Sequence, residues 1–137
     1  MEEHILVGLS SAPSNARIIR TAATMAAAFG CKFTALFVRT PGYDAMSEEN
    51  KERLRTNTEL AKSLGATVET VFGDDVSYQI AEYARLSGVT KIVVGRSAAT
   101  RKHPWGKPTL TEKLTEIAPN LDIHIIPDAS VDGSYRP

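Results

Sequence analysis

Five short apolar runs, each followed or preceded by a stretch whose apolar residues recur at helical spacing, leave few folds open to this chain. The runs are Ile5-Leu6-Val7-Gly8-Leu9, Lys32-Phe33-Thr34-Ala35-Leu36-Phe37-Val38, Thr67-Val68-Glu69-Thr70-Val71-Phe72, Ile92-Val93-Val94 and Asp122-Ile123-His124-Ile125-Ile126. Between the first two, Ser14 or Asn15 stands ready to cap a helix whose Ile18, Ala22, Met25 and Phe29 share a face and which Gly30 ends. Ser47 opens a charged amphipathic helix carrying Leu54, Thr58, Ala61 and Leu64, closed by Gly65. Asp74 or Asp75 caps a third helix, 76–87, stopped by Gly88. Thr109-Leu110-Thr111-Glu112 has the form of a capping box before a short helix with Leu110, Leu114 and Ile117 on its buried stripe.

Strand and helix in alternation predict an α/β fold: a three-layer α/β/α sandwich around a five-stranded parallel sheet of order 3-2-1-4-5. That order reverses between the first and fourth strands, and ligands of such sheets bind at the reversal, outside the carboxyl ends of the strands. Two segments meet there, the turn 10–15 and the stretch that follows Val94. In the second, Gly95, Arg96 and Ser97 bring backbone N–H groups, a guanidinium and a hydroxyl together at the head of a long basic loop, a combination suited to an anion. Arg101, Lys102 and Lys107, with His103 and Trp105 among them, extend the loop. Its proline-flanked Trp105 points to a partner, either a ligand or another protein domain. The turn 10–15 reads equally as a simple helix cap, and Phe33, Ala35 and Phe37, alternating along one strand, read as core as well as ligand stack.

The 137 residues suit one domain over 1–127, with the polar, glycine- and proline-containing 128–137 as a tail or linker. Sixteen basic and sixteen acidic residues cancel, which argues against a nucleic-acid or membrane-surface binder. The single Cys31 cannot form an internal disulfide and is expected as a buried reduced thiol. Residues 1–4 lack a signal-peptide pattern and no apolar run reaches membrane-spanning length, so a cytoplasmic location is expected. Gly-x-Ser-x-Gly, a Gly-x-x-x-x-Gly-Lys phosphate loop and paired histidines are absent from the sequence, and no enzymatic function or metal is expected of this segment.

Val93-Val94-Gly95 at the end of the fourth strand and Gly73-Asp74-Asp75 before the third helix resemble the universal stress protein family, with its adenine-nucleotide-binding fold. Gly73-Asp74-Asp75-Val76, Ile80-Ala81-Glu82-Tyr83-Ala84-Arg85, 88–97 and Ile117-Ala118-Pro119-Asn120-Leu121-Asp122 are similar to the branch that forms a cytoplasmic sensory domain of KdpD-type histidine kinases, which respond to potassium. This resemblance, over 5–127, implies a regulatory domain whose partners are a small nucleotide and the other domains of a kinase, with a membrane reached only through that parent protein.

ATP-binding members carry Gly-x-x-Gly after the fourth strand and Gly-Ser or Gly-Thr nine residues on; here Gly95 stays, Ala98 replaces the second glycine and 109–111 has none. An aspartate usual near the end of the first strand is replaced within Gly8-Leu9-Ser10. Members that bind cyclic di-AMP carry Ser-x-Ser, twenty residues, then Phe-Thr-Ala-x-Tyr. In register stand Ser10-Ser11-Ala12 and, after twenty residues, Phe33-Thr34-Ala35-Leu36-Phe37, so Ala12 and Phe37 each lack a hydroxyl. The resemblance implies cyclic di-AMP or ATP as ligand, with a site of Leu9, Ser10, Ser11, Ala12, Phe33, Thr34, Ala35, Phe37, Gly95, Arg96, Ser97 and Trp105. Ser10, Ser11 and Thr34 would supply hydroxyls and Arg96 would pair with phosphate. The alternatives are a stand-alone ATP-binding member and a ligand-free docking module, the latter pairing through the fifth-strand edge as a homodimer.

Overall fold

The computed structural model describes residues 2–100, 106 and 108–127. The expectations for Trp105, for the basic residues 101, 102 and 107, for His103 and for the tail 128–137 fall outside these residues.

In chain order the elements are β1 (His4–Gly8), α1 (Asn15–Phe29), β2 (Lys32–Arg39), a 3-10 turn (Pro41–Ala45), α2 (Glu48–Ser63), β3 (Thr67–Phe72), α3 (Val76–Leu86), β4 (Lys91–Gly95), α4 (Arg96–Thr100), α5 (Leu110–Ile117) and β5 (Asp122–Ile126). The strands form one parallel sheet in the expected order β3-β2-β1-β4-β5. Successive side chains of a strand point to opposite faces, and the two faces bury two separate cores. Ile5, Val7, Phe33, Ala35 and Val93 pack on one side with Ile18, Ile19, Ala22 and Leu54 of α1 and α2. Leu6, Leu36, Ile92 and Val94 pack on the other with Ile80, Ala81, Leu110 and Leu114 of α3 and α5. Burial of β1 on both faces explains why its sequence is a continuous apolar run rather than an alternation.

The local signals behave as their chemistry demands. Gly30 takes φ 60° after α1, its N–H reaching the carbonyls of Ala26 and Ala27. Ser47 accepts from the N–H of Asn50, and Asp75 from that of Tyr78. Thr109 and Glu112 form the reciprocal capping box of α5. Three details depart from the sequence reading. Ser14 precedes α1 without a side-chain cap bond. Phe29 is 51% exposed, with the Lys91 ammonium 5.1 Å from its ring centroid, because it lies at the last turn of α1 beyond the sheet. Cys31 is only partly buried, and desolvation followed by the nearby Glu3 carboxylate pushes its thiol pKa up.

Beyond β4 the expected loop does not begin at once. Arg96-Ser97-Ala98-Ala99-Thr100 is helical: its two alanines favour helix, Ala99 is fully buried, and Thr111 donates to the Ala99 carbonyl at 2.8 Å. The first turn after β4 is thereby part of the packed fold.

Candidate functional site

The turn after β1, on the carboxyl side of the sheet, is braced by several side chains. Leu9 continues the ladder by donating to the Leu36 carbonyl at 2.8 Å. Asn15, buried at the start of α1, donates to the Gly8 carbonyl at 2.9 Å and accepts from the Ser10 N–H at 3.2 Å. From α2, buried Asn57 donates to the Ser10 carbonyl at 2.9 Å, and Arg53 donates to the Ser11 carbonyl at 3.1 Å. Ser10 Oγ accepts from the Ala12 N–H at 3.2 Å, a local serine turn. Asn15 is therefore a brace across the turn rather than a cap, and Asn57 and Arg53, which the sequence reading missed, hold it from 47 and 42 residues away.

Two adjoining clefts open beside this turn. One, of about 320 Å³, lies over the carboxyl ends of β1 and β2, with Gly8, Leu9, Ser10, Ser11, Phe37 and Thr40 on one side and Met46, Val76 and Ile80 on the other. The second, of about 280 Å³, lies between β2, β3 and α2 and is lined by Leu9, Phe37, Arg39, Tyr43, Lys51, Leu54, Arg55 and Thr70, among others. Leu9, Phe37 and Tyr43 are common to both. Phe37 meets Tyr43 edge to face, with ring centroids 5.9 Å apart and planes at 66°. The segment that reads in sequence as a plain Pro41-Gly42 loop thus supplies an aromatic wall.

Leu9, Ser10, Ser11 and Phe37 are brought together by the first cleft. Ala12 is exposed in the same turn. Phe33 (7% exposed) and Ala35 (0%) are packed in the core beneath α1 and α2. Thr34 requires a correction. It points to the opposite face from Phe33, is 5% exposed, and its hydroxyl lies 2.8 Å from Nε2 of His4 near the amino end of β1. That hydroxyl is engaged inside the fold and lines neither cleft.

Gly95, Arg96 and Ser97 line neither cleft. Continuing the β1–β4 register sets Gly95 level with Leu9, on the far side of the turn from Phe37. Both clefts lie on the β2 side of β1.

The remaining titratable cluster lies at the other end of the sheet. His4 is held by the Ser87 carbonyl, 3.3 Å from Nδ1, and by Thr34, and burial followed by Lys32 pulls its pKa below the ordinary 6.5 against the opposing Ser87 bond. Lys91 pairs with Asp122 at 2.8 Å, and this bond holds the Asp122 carboxyl below its usual range. Among the described residues no group of three or more His, Cys, Asp or Glu side chains could hold a metal ion, and no helix is long and apolar enough to cross a membrane.

No family model matches the chain. Among curated proteins it is 37% identical over 137 residues to sensor protein KdpD of Clostridium acetobutylicum, covering 98% of this chain and 15% of that protein. It is 30% identical over 118 residues to sensor protein KdpD of Escherichia coli, covering 86% of this chain and 13% of that protein. The chain thus spans about one seventh of the length of these relatives. Among solved structures, a universal stress protein in complex with cAMP superposes with a TM-score of 0.66 at 20% identity, over 93% of this chain and 98% of that one. A universal stress protein from Archaeoglobus fulgidus in complex with dAMP gives 0.58 at 20%, over 90% and 97%. The fold is that of the universal stress proteins, and the sequence is similar to one segment of KdpD sensor proteins.

Proposed function

We propose that this chain, a universal stress protein-like domain of the KdpD type, is a sensory module that binds an adenine nucleotide in the cleft over β1 and β2. The observation that carries the reading is the convergence of Leu9, Ser10, Ser11 and Phe37 on one cleft walled by Tyr43, Met46 and Val76. An adenine ring suits it: apolar side chains and an aromatic edge take the ring faces, while serine hydroxyls and turn backbone address its nitrogens. Two structural neighbours were solved with cAMP and with dAMP, which supports the adenine class. Cyclic di-AMP is the specific ligand implied by the resemblance of Ser10-Ser11-Ala12 and Phe33-Thr34-Ala35-Leu36-Phe37 to the motif of its binders. Occupancy would be passed to the other domains of a potassium-responsive sensor kinase in the cytoplasm, with no catalysis by this segment.

Calorimetric titration with cyclic di-AMP, ATP and cAMP, with cyclic di-GMP as the guanine comparison, tests this. Val76→Glu places a carboxylate on the cleft wall at a residue 42% exposed, where a glutamate in the first turn of α3 is compatible with the helix. Saturable binding of an adenine nucleotide that Val76→Glu weakens supports the reading. Absence of heat with every adenine nucleotide overturns it.

A second reading rests on β5, which among the described residues pairs only with β4 and leaves Ile125 41% exposed. Edge-to-edge pairing of two copies would cover it, as a homodimer or docking module. Light scattering of the wild type against Ile125→Lys distinguishes a dimer from a monomer.

A further inference from the structure

The cleft between β2, β3 and α2 has a charge arrangement that its neighbour lacks. The guanidinium carbon of Arg39 lies 4.2 Å from the centroid of the Tyr43 ring, and the Lys51 ammonium lies 5.5 Å from the same centroid. Arg55, one turn further along α2, lines the cleft as well. Cations gathered on one ring repel each other, and the ring quadrupole offsets this only in part. The available carboxylates do little more. Asp44 pairs with Arg39 at 3.3 Å but is 87% exposed, and Glu52 pairs with Arg55 along the outer surface of α2. Glu59 lines the cleft without an ion pair to these three cations. Lys51 has no carboxylate partner among the described residues. The half-exposed aromatic wall, the cations and the Thr70 position leave a volume of about 280 Å³ for an anionic group.

We infer that this compartment receives the phosphate end of the nucleotide, with Lys51 and Arg39 pairing its oxygens, while the adenine occupies the neighbouring cleft across Phe37 and Tyr43. The inference rests on the adenine reading above and changes its geometry. The phosphates lie on the α2 side of the turn and not beside Arg96 at the head of α4. An anionic phosphate group supplies what the ring and Asp44 do not, charge-assisted hydrogen-bond acceptors between two neighbouring cations.

The test is an NMR titration of the whole chain, following backbone amides, arginine side-chain N–H groups and the Tyr43 ring, with adenosine, ADP and pyrophosphate as separate probes. ADP is expected to move Ser10, Ser11, Tyr43 and Arg39 together, adenosine Ser10, Ser11 and Tyr43 but not Arg39, and pyrophosphate Arg39 and Tyr43 but not the two serines. Lys51→Ala combined with Arg39→Gln is expected to weaken ADP at least tenfold and leave adenosine unchanged, whereas Arg96→Ala leaves both unchanged. ADP shifts concentrated at 95–97, or full ADP affinity in the double variant, would overturn the phosphate placement while the adenine reading stands. Pyrophosphate binding at Arg39 and Tyr43 without any adenosine response would sustain the anion compartment and sink the adenine cleft. No response to any probe sinks both.

Discussion

Asn57, midway along α2, donates to the backbone carbonyl of Ser10 at 2.9 Å, so a helix beyond α1, β2 and the 3-10 turn fixes the turn that follows the central strand. Replacing Asn57 by Leu keeps the volume and removes the donor. The expected result is a loss of about 1–2 kcal/mol in urea denaturation. Nucleotide affinity should fall further than in a surface variant of equal stability, measured by calorimetry well below the unfolding midpoint.

Thr34 belongs to a different network. Thr34→Val deletes the hydroxyl that partners His4 and should destabilise the domain by about 1–2 kcal/mol. Ligand affinity should be unchanged, and a large drop would return Thr34 to the site.

His4 gives the domain a pH dependence of defined sign. Its folded pKa lies below 6.5, chiefly from burial, so the unfolded chain takes up the proton more readily. The stability contributed by neutral His4 is complete above about pH 6.5 and is lost as pH falls from there toward the folded pKa. Urea midpoints between pH 7.5 and 5 should decline, and His4→Gln should flatten the decline.

Gly30 ends α1 at φ 60°, in the left-handed region. Gly30→Ala leaves the space around it open but strains the backbone, and should cost about 1 kcal/mol. A thermal melt would register it as a shift of several degrees.

Ala12→Ser and Phe37→Tyr add the two hydroxyls that distinguish this chain from the motif of cyclic di-AMP binders. Phe37 lines both clefts, so its para position can reach a ligand in either. If cyclic di-AMP is the ligand, the pair should tighten it by about tenfold or more, from roughly 1–3 kcal/mol per satisfied partner. Unchanged affinity in both would argue for another nucleotide.

What could be read in the sequence was local. Strand periodicity, the capping box at Thr109 and the glycine stops at Gly30 and Gly88 need only neighbours in the chain, whereas the sheet order came from a common arrangement of parallel folds. The candidate site was only half legible for the same reason. Asn57 and Arg53 reach the turn across 47 and 42 residues, and no short-range pattern marks a surface-helix asparagine as buried. Tyr43 was hidden in a Pro-Gly segment that reads as loop, yet the 3-10 turn swings its ring against Phe37. Thr34 was assigned from a motif, although the two-residue strand period already separates it from Phe33, Ala35 and Phe37. Arg96 was read at the head of a long basic loop, whereas the alanines that follow carry the chain straight into helix.

Because Asn15, Asn57 and Arg53 already occupy the carbonyls of Gly8, Ser10 and Ser11, the backbone that a nucleotide meets is ordered before it arrives. The entropy of arranging that turn is settled when the domain folds, so association draws on a prebuilt surface and leaves the side chains around Tyr43 as the part that can still adjust. Selectivity among nucleotides would then be tuned through those side chains, by exchanges that leave the frame beneath them intact.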